Sequence, residues 1–107
     1  MSLSPEILSA VFSDESPLFR FPPEPDPGDT VTLRIRVAKG SASRVVLSFN
    51  SMVFGMVMAR TRSDSFFDYY ETALVCDRNE VVYRFLIEST EGVLIAYDKV
   101  GPRIIGS

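Results

Sequence analysis

The 107-residue chain contains no histidine and no tryptophan, and Cys76 is its only cysteine. Without histidine the commonest general base is missing, and neither a Ser-His-Asp nor a Cys-His arrangement can be assembled within the chain. A single cysteine excludes an internal disulfide and any zinc site built from several thiolates. No apolar run reaches the roughly 18 residues that a membrane-spanning helix needs, and the N-terminus lacks a basic start followed by an apolar stretch. Eleven basic residues stand against fourteen acidic ones, a formal net charge of −3, so the electrostatic pull toward phosphates that drives nucleic-acid binding is absent. The six glycines are dispersed, and none falls into a phosphate-cradling loop. The sequence is therefore read as a soluble, cytoplasmic chain with no cofactor and no catalytic or metal-ligating residues, partnered by neither nucleic acid nor membrane.

What is present is strand signal. Val31, Leu33, Ile35 and Val37 alternate with Thr32, Arg34 and Arg36, the period of a half-buried strand over Thr30 to Ala38. Before it, Pro22-Pro23-Glu24-Pro25-Asp26-Pro27-Gly28-Asp29 has prolines that fix φ and remove backbone donors, which makes a loop. Lys39 to Ser43 punctuates the chain ahead of a second strand over Arg44 to Asn50. Ser51 to Arg60 is too apolar for plain alternation and is interrupted by Gly55, predicting a third strand with an irregular start. Phe66 to Val75 and Val81 to Ser89, joined by Asp77-Arg78-Asn79, predict a hairpin. Thr90-Glu91-Gly92 then leads into Val93 to Asp98 as another. Upstream, Ile7 to Phe12 and Leu18 to Phe21 read as short extended segments, with a helix over Ser4 to Ala10 as the local competitor. Seven or eight short strands with turns every ~8 to 12 residues point to an all-β sandwich or barrel.

Chemistry is sparse. Asp14 with Glu15, and Glu24 with Asp26, read as solvated loop charges, and Asp64 with Asp68 as turn and cap chemistry. Arg34, Arg36, Arg60 and Arg62 read as solvated faces. The Met52, Met56 and Met58 group serves either as core filler or as an adaptable contact surface. The aromatic cluster Phe66, Phe67, Tyr69 and Tyr70 must divide between two strand faces, so about half of it is expected inside. Tyr83, Phe85 and Phe49 are assigned to the core. Tyr70 and Tyr97 fit either place, and an exposed ring could stack on a sugar face.

The order of several motifs resembles the N-terminal immunoglobulin-like domain, of carbohydrate-binding-module type, in the neopullulanase, cyclomaltodextrinase and maltogenic amylase branch of the α-amylase family. The likeness runs from Ser16-Pro17-Leu18-Phe19-Arg20 and Val31-Thr32-Leu33-Arg34-Ile35-Arg36 through Met58-Ala59-Arg60, Asp64-Ser65-Phe66-Phe67-Asp68-Tyr69-Tyr70 and Tyr83-Arg84-Phe85-Leu86-Ile87. It covers about Ala10 to Pro102. The resemblance implies an immunoglobulin-like antiparallel β-sandwich, with residues 1–107 forming one domain of a larger glycosidase whose catalytic (β/α)8 barrel lies elsewhere. It implies a non-catalytic accessory domain of an enzyme hydrolysing α-1,4 or α-1,6 glucosidic bonds. That domain would contribute to dimerisation and substrate-cleft shaping, and to starch or maltooligosaccharide binding, with its own barrel and a second copy as partners. Calcium would belong to the parent enzyme and not to this domain. With no tryptophan for a starch surface, the implied sugar contacts are Phe66, Tyr70 and Tyr97. A self-sufficient starch-binding module and an unrelated immunoglobulin-like interaction domain are the alternatives.

Overall fold

A computed structural model describes residues 5–22, 24–49, 55–75 and 83–106. Helix α1 (Pro5–Ala10) is followed by β1 (Arg20–Phe21), β2 (Thr30–Ala38), β3 (Ala42–Phe49), β4 (Met56–Val57), β5 (Ala59–Ser63), β6 (Phe67–Val75), β7 (Tyr83–Ser89), β8 (Leu94–Asp98) and β9 (Gly101–Gly106). They form a four-stranded sheet, β1-β2-β6-β5, and a five-stranded sheet, β4-β3-β7-β8-β9. Every pairing is antiparallel. The chain is an all-β, immunoglobulin-like sandwich with one short helix.

Alternation explains why the sheets meet. Val31, Leu33, Ile35 and Val37 of β2 all point inward, as the period of two requires, and Leu74 of β6 joins them. From the other sheet come Val45, Leu47, Phe85, Ile87 and Ile95, and the two sets form one buried cluster. Leu33, Ile35, Leu47 and Phe85 are essentially inaccessible. Burying each such side chain stabilises the fold by about 1.5–3 kcal/mol.

Asp68 is the charged residue among the buried polar side chains described, at 2 % exposure. Its carboxylate accepts the Gly40 amide at 2.9 Å and the Ser63 hydroxyl, with Arg60 at 3.9 Å. Burial opposes its charge, yet these donors and cations outweigh it and hold its pKa below the usual carboxylate range. Asp68 thereby ties the β2–β3 turn, where Gly40 has φ +71°, to the β5–β6 hairpin.

Several expectations change. Residues 5–10 are helical rather than extended: Pro5 suits a first helical turn, Glu6 complements the N-terminal dipole, and the Ser9 hydroxyl donates to the Glu6 carbonyl. Phe12 alone of the Ile7 to Phe12 segment pairs, as an isolated bridge to Arg36. The expected third strand divides. Met56 and Val57 pair with β3, whereas Ala59 to Ser63 pair with β6. The buried Met58 donates its amide to the Val45 carbonyl at 2.8 Å at the crossing point, so it is core rather than contact surface.

β6 and β7 are not a hairpin, because they lie in different sheets. Turn residues signal a reversal of the chain but not whether it stays within one sheet. β7 and β8 do form the expected hairpin, with the Ser89 hydroxyl accepting the Glu91 and Val93 amides and Gly92 at φ +79°. β9 lies beyond the segments read as strands from the sequence; its Pro102 is accommodated because on the outside of a sheet the missing donor goes unused. Phe85 is core, and Tyr83 packs against it. Met52, Cys76, the Asp77-Arg78-Asn79 turn and the side chain of Phe49 lie outside the described residues.

Candidate functional site

The inward set of β2 and β6 leaves the complementary set on the outer face of the four-stranded sheet. From β2 these are Thr32, Arg34 and Arg36; from β6 they are Phe67, Tyr69, Glu71, Ala73 and Val75. Register places Arg34 opposite Glu71 and Arg36 opposite Tyr69, while Arg62 of β5 lies opposite Tyr69 on the other side. The result is a row, Arg36-Tyr69-Arg62, running across three strands.

The arginines on this face are not simply solvated. Arg34 sits 3.3 Å from the Glu71 carboxylate, donates to the Leu18 carbonyl at 2.8 Å, and lies 5.5 Å from the Phe21 ring centroid. The Thr61 hydroxyl donates to Glu71, and with Arg34 it holds that carboxyl below the usual range against partial burial. Arg36 is held between two rings, 4.2 Å from the Phe67 centroid and 5.3 Å from that of Phe12, with its Nε donating to the Ala10 carbonyl at 3.1 Å. Arg62 lies 5.3 Å from the Tyr69 centroid. Each cation–π contact of this kind contributes about 0.5–2 kcal/mol according to exposure.

Asp64 organises the turn beside this row. Its Oδ1 accepts the Phe66 and Phe67 amides at 2.9 and 2.8 Å, and its Oδ2 accepts the Tyr69 hydroxyl at 3.1 Å. The two amides, foremost, hold its pKa below the ordinary carboxylate value. Burial and the bond to Asp64 push the Tyr69 phenol up. Both carboxylates of the face, Asp64 and Glu71, are thus ionised and engaged, a geometry for fixing side chains rather than for proton transfer.

Of the three sequence-derived sugar contacts, Phe66 is presented to solvent, 74 % exposed at the β5–β6 turn. Its backbone is fixed on both sides, the amide by Asp64 and the carbonyl by the Lys39 amide at 3.0 Å. Tyr70 takes the inward side of β6 and packs against the core, and burial raises its pKa. Tyr97 also packs against the core, in the five-stranded sheet. Its ring centroid is 6.3 Å from that of Phe85, and its hydroxyl donates to the Ser13 carbonyl at 2.7 Å. The structure therefore does not bring the three onto one surface. The residues that sequence reasoning passed over are Arg36, Arg62 and Tyr69. Their signal was the alternation of Arg34 with Arg36 and Arg60 with Arg62, which needs the strand register before it becomes a row.

A shallow depression of about 420 Å³ lies at the end of the other sheet, lined by residues including Ser43, Glu88, Val93 and Leu94. Its one charged lining group, Glu88, is engaged by Arg44. Among the described residues no group of three or more His, Cys, Asp or Glu side chains is placed to hold a metal ion. No described helix is long and apolar enough to cross a membrane.

Two solved structures share this fold. A cyclomaltodextrinase matches with a TM-score of 0.69 and 22 % identity, over 94 % of this chain and 17 % of that one. The type III pullulan hydrolase from Thermococcus kodakarensis matches with a TM-score of 0.65 and 15 % identity, over 89 % of this chain and 16 % of its own. The chain thus spans about a sixth of the length of either. No curated protein matches it. The family model for the α-amylase N-terminal immunoglobulin-like domain matches residues 25–104. The chain belongs to the family of α-amylase N-terminal immunoglobulin-like domains.

Proposed function

We propose that residues 1–107 form a single non-catalytic accessory domain of an α-glucan-acting glycoside hydrolase of the neopullulanase or cyclomaltodextrinase type. The observation that carries this reading is the family match across residues 25–104, on a chain that spans about a sixth of a cyclomaltodextrinase and of a pullulan hydrolase with the same fold. In this reading the hydrolytic carboxylates belong to a barrel elsewhere in the parent enzyme. The sandwich acts through its surfaces: it contacts that barrel and a second copy, and it narrows the route to the substrate cleft. A rigid body beside a cleft excludes bulky polymer while admitting small glucans.

The test is hydrolysis of β-cyclodextrin, pullulan and starch by the product of the whole gene, with and without residues 1–107. Loss of the domain is expected to lower the ratio of cyclodextrin to starch hydrolysis. An unchanged ratio would remove cleft shaping from the account.

A second reading, direct binding of maltooligosaccharides, is favoured by the exposed and backbone-fixed Phe66 ring. Titrating the chain with maltoheptaose while following its amide resonances separates the two. Saturable shifts at Phe66 and along β6 or β8 would establish the sugar site, and their absence at millimolar ligand would leave protein contacts as the mode of action.

A further inference from the structure

We infer that the Arg36-Tyr69-Arg62 row and the exposed Phe66 ring beside it form one binding site for a phosphorylated α-glucan, in which a glucose unit stacks on Phe66 and its phosphomonoester meets the two guanidiniums. This rests on the maltooligosaccharide reading of Phe66 and goes beyond it, by naming an anionic substrate class and the residues that select it.

Rings and cations make a continuous surface. The Phe66 centroid lies 6.3 Å from that of Phe67, and Phe67 lies 6.4 Å from Tyr69. Arg36 sits on Phe67 and Arg62 on Tyr69. Because Tyr69 is opposite both arginines in register, their backbones are two strand spacings apart, roughly 10 Å. Lys39 adds a third cation at the Phe66 end, where its Nζ donates to the Asp64 carbonyl at 2.9 Å.

The charge of the row is not spent within the fold. Arg34 is matched by Glu71 and Arg60 approaches Asp68, whereas among the described residues neither Arg36 nor Arg62 pairs with a carboxylate. Asp64, the acid beside them, has its oxygens taken by two amides and the Tyr69 hydroxyl. Arg36 uses its Nε on the Ala10 carbonyl, which leaves the edge formed by its two terminal nitrogens for an oxyanion. Both guanidiniums are already held on rings, so they give up little conformational freedom on meeting one.

The class of ligand follows from this arrangement. One guanidinium fork satisfies a carboxylate, but the three terminal oxygens of a phosphomonoester can accept from two. The net charge of −3 supplies no long-range attraction to a polyanion, so a single phosphoryl group carried on a neutral sugar fits better than a nucleic acid. The Phe66 ring, 74 % exposed and fixed through its backbone, gives that sugar an apolar face to cover.

Amide-resonance titrations of the 107-residue chain test this, in about 0.15 M chloride to screen non-specific attraction. The ligands are maltoheptaose, maltoheptaose carrying one phosphomonoester, and inorganic phosphate. The phosphorylated sugar is expected to bind roughly tenfold or more tightly than the neutral one, with saturable shifts at Arg36, Arg62 and Phe66 to Tyr69. Phe66→Ala should weaken the phosphorylated sugar about threefold to tenfold and leave inorganic phosphate unchanged. Arg62→Lys keeps a cation on the Tyr69 ring, and so the contact made there, but lacks the planar fork. It should weaken the phosphorylated sugar about threefold or more and leave neutral maltoheptaose unchanged. Equal affinity for the neutral and phosphorylated sugars would overturn the inference while the maltooligosaccharide reading stood. Inorganic phosphate binding as tightly as the sugar ester would also overturn it, giving the row to a free anion, as would parental affinity in Arg62→Lys. No saturable shift with either sugar at millimolar concentration would sink both readings of Phe66. None of these outcomes bears on the substrate-ratio test of the accessory-domain reading.

Discussion

The Tyr97 hydroxyl donates to the carbonyl of Ser13 at 2.7 Å, 84 positions away in sequence. Ser13 in turn donates its own hydroxyl to the Arg34 carbonyl at 2.6 Å. One buried serine therefore joins β8 of one sheet to β2 of the other, and the tyrosine reaches it from the edge of the core. Tyr97→Phe keeps the ring contacts and deletes the bond, leaving the Ser13 carbonyl short of a donor. The expected cost is about 1 kcal/mol in chemical denaturation. A variant as stable as the parent would show that the hydroxyl is not part of this bridge.

Phe66 and Tyr70 separate exposure from packing. Phe66→Ala removes a ring that stands in solvent, so its stability should stay within about 0.5 kcal/mol of the parent while any maltoheptaose binding is lost. Tyr70→Ala removes a ring packed on the core and should cost about 2–4 kcal/mol. Thermal melts of both, alongside the sugar titration, check the assignment. Equal destabilisation by the two would contradict it.

Gly55 is a site of close approach. A Cβ built there meets the Val46 side chain and lies 2.5 Å from the Leu47 carbonyl oxygen. The neighbour is backbone of β3, which cannot swing aside. Gly55→Ala should destabilise the chain by about 1–3 kcal/mol, the range for overpacking, and should broaden or shift the amide resonances of Val46 and Leu47. Wild-type stability in this variant would mean that β4 can move off β3.

Asp98 supplies the clearest pH dependence. Arg103 donates to both its oxygens, at 3.0 and 2.9 Å, and the Val100 amide adds a third bond. These lower its pKa from 3.8 to about 2, the Arg103 bonds most of all. A pKa depressed in the folded state stabilises the fold above the unfolded value, and that contribution is lost as pH falls from about 4 through about 2. Asp98→Asn should therefore be less stable than the parent at about pH 7, by less than ~1 kcal/mol because both partners are partly solvated. The gap should close at about pH 2. A gap independent of pH would assign the loss to packing instead.

How much of this was legible depended on whether the information was local. β2 could be read residue by residue, because burial on one face imposes strict alternation from Val31 to Val37. The β7–β8 hairpin was legible because its turn chemistry lies within a few residues of Gly92. The division of Met56 to Ser63 between two sheets was not, since both pieces are extended and only the partner strand distinguishes them. For the same reason Phe66 to Val75 and Val81 to Ser89 read as a hairpin, although β6 and β7 lie in different sheets. The arginine row was hidden more deeply. Arg36, Tyr69 and Arg62 are far apart in the chain, and it is the register of β2, β6 and β5 that makes them neighbours. Sequence could nominate aromatic rings, but it could not say that Tyr70 turns inward while Phe66 is held outside.

The outermost strands of the two sheets have a further effect on how the molecule survives at high concentration. β1 and β4 are two residues long, β5 carries Arg60 and Arg62, and β9 contains a proline. None offers a long, uncharged ladder of free amides and carbonyls on which another chain could add as a strand. Fibre growth by strand addition is thereby discouraged at each end of each sheet. Recognition is left to the broad faces, where side-chain identity and not backbone pairing decides what docks.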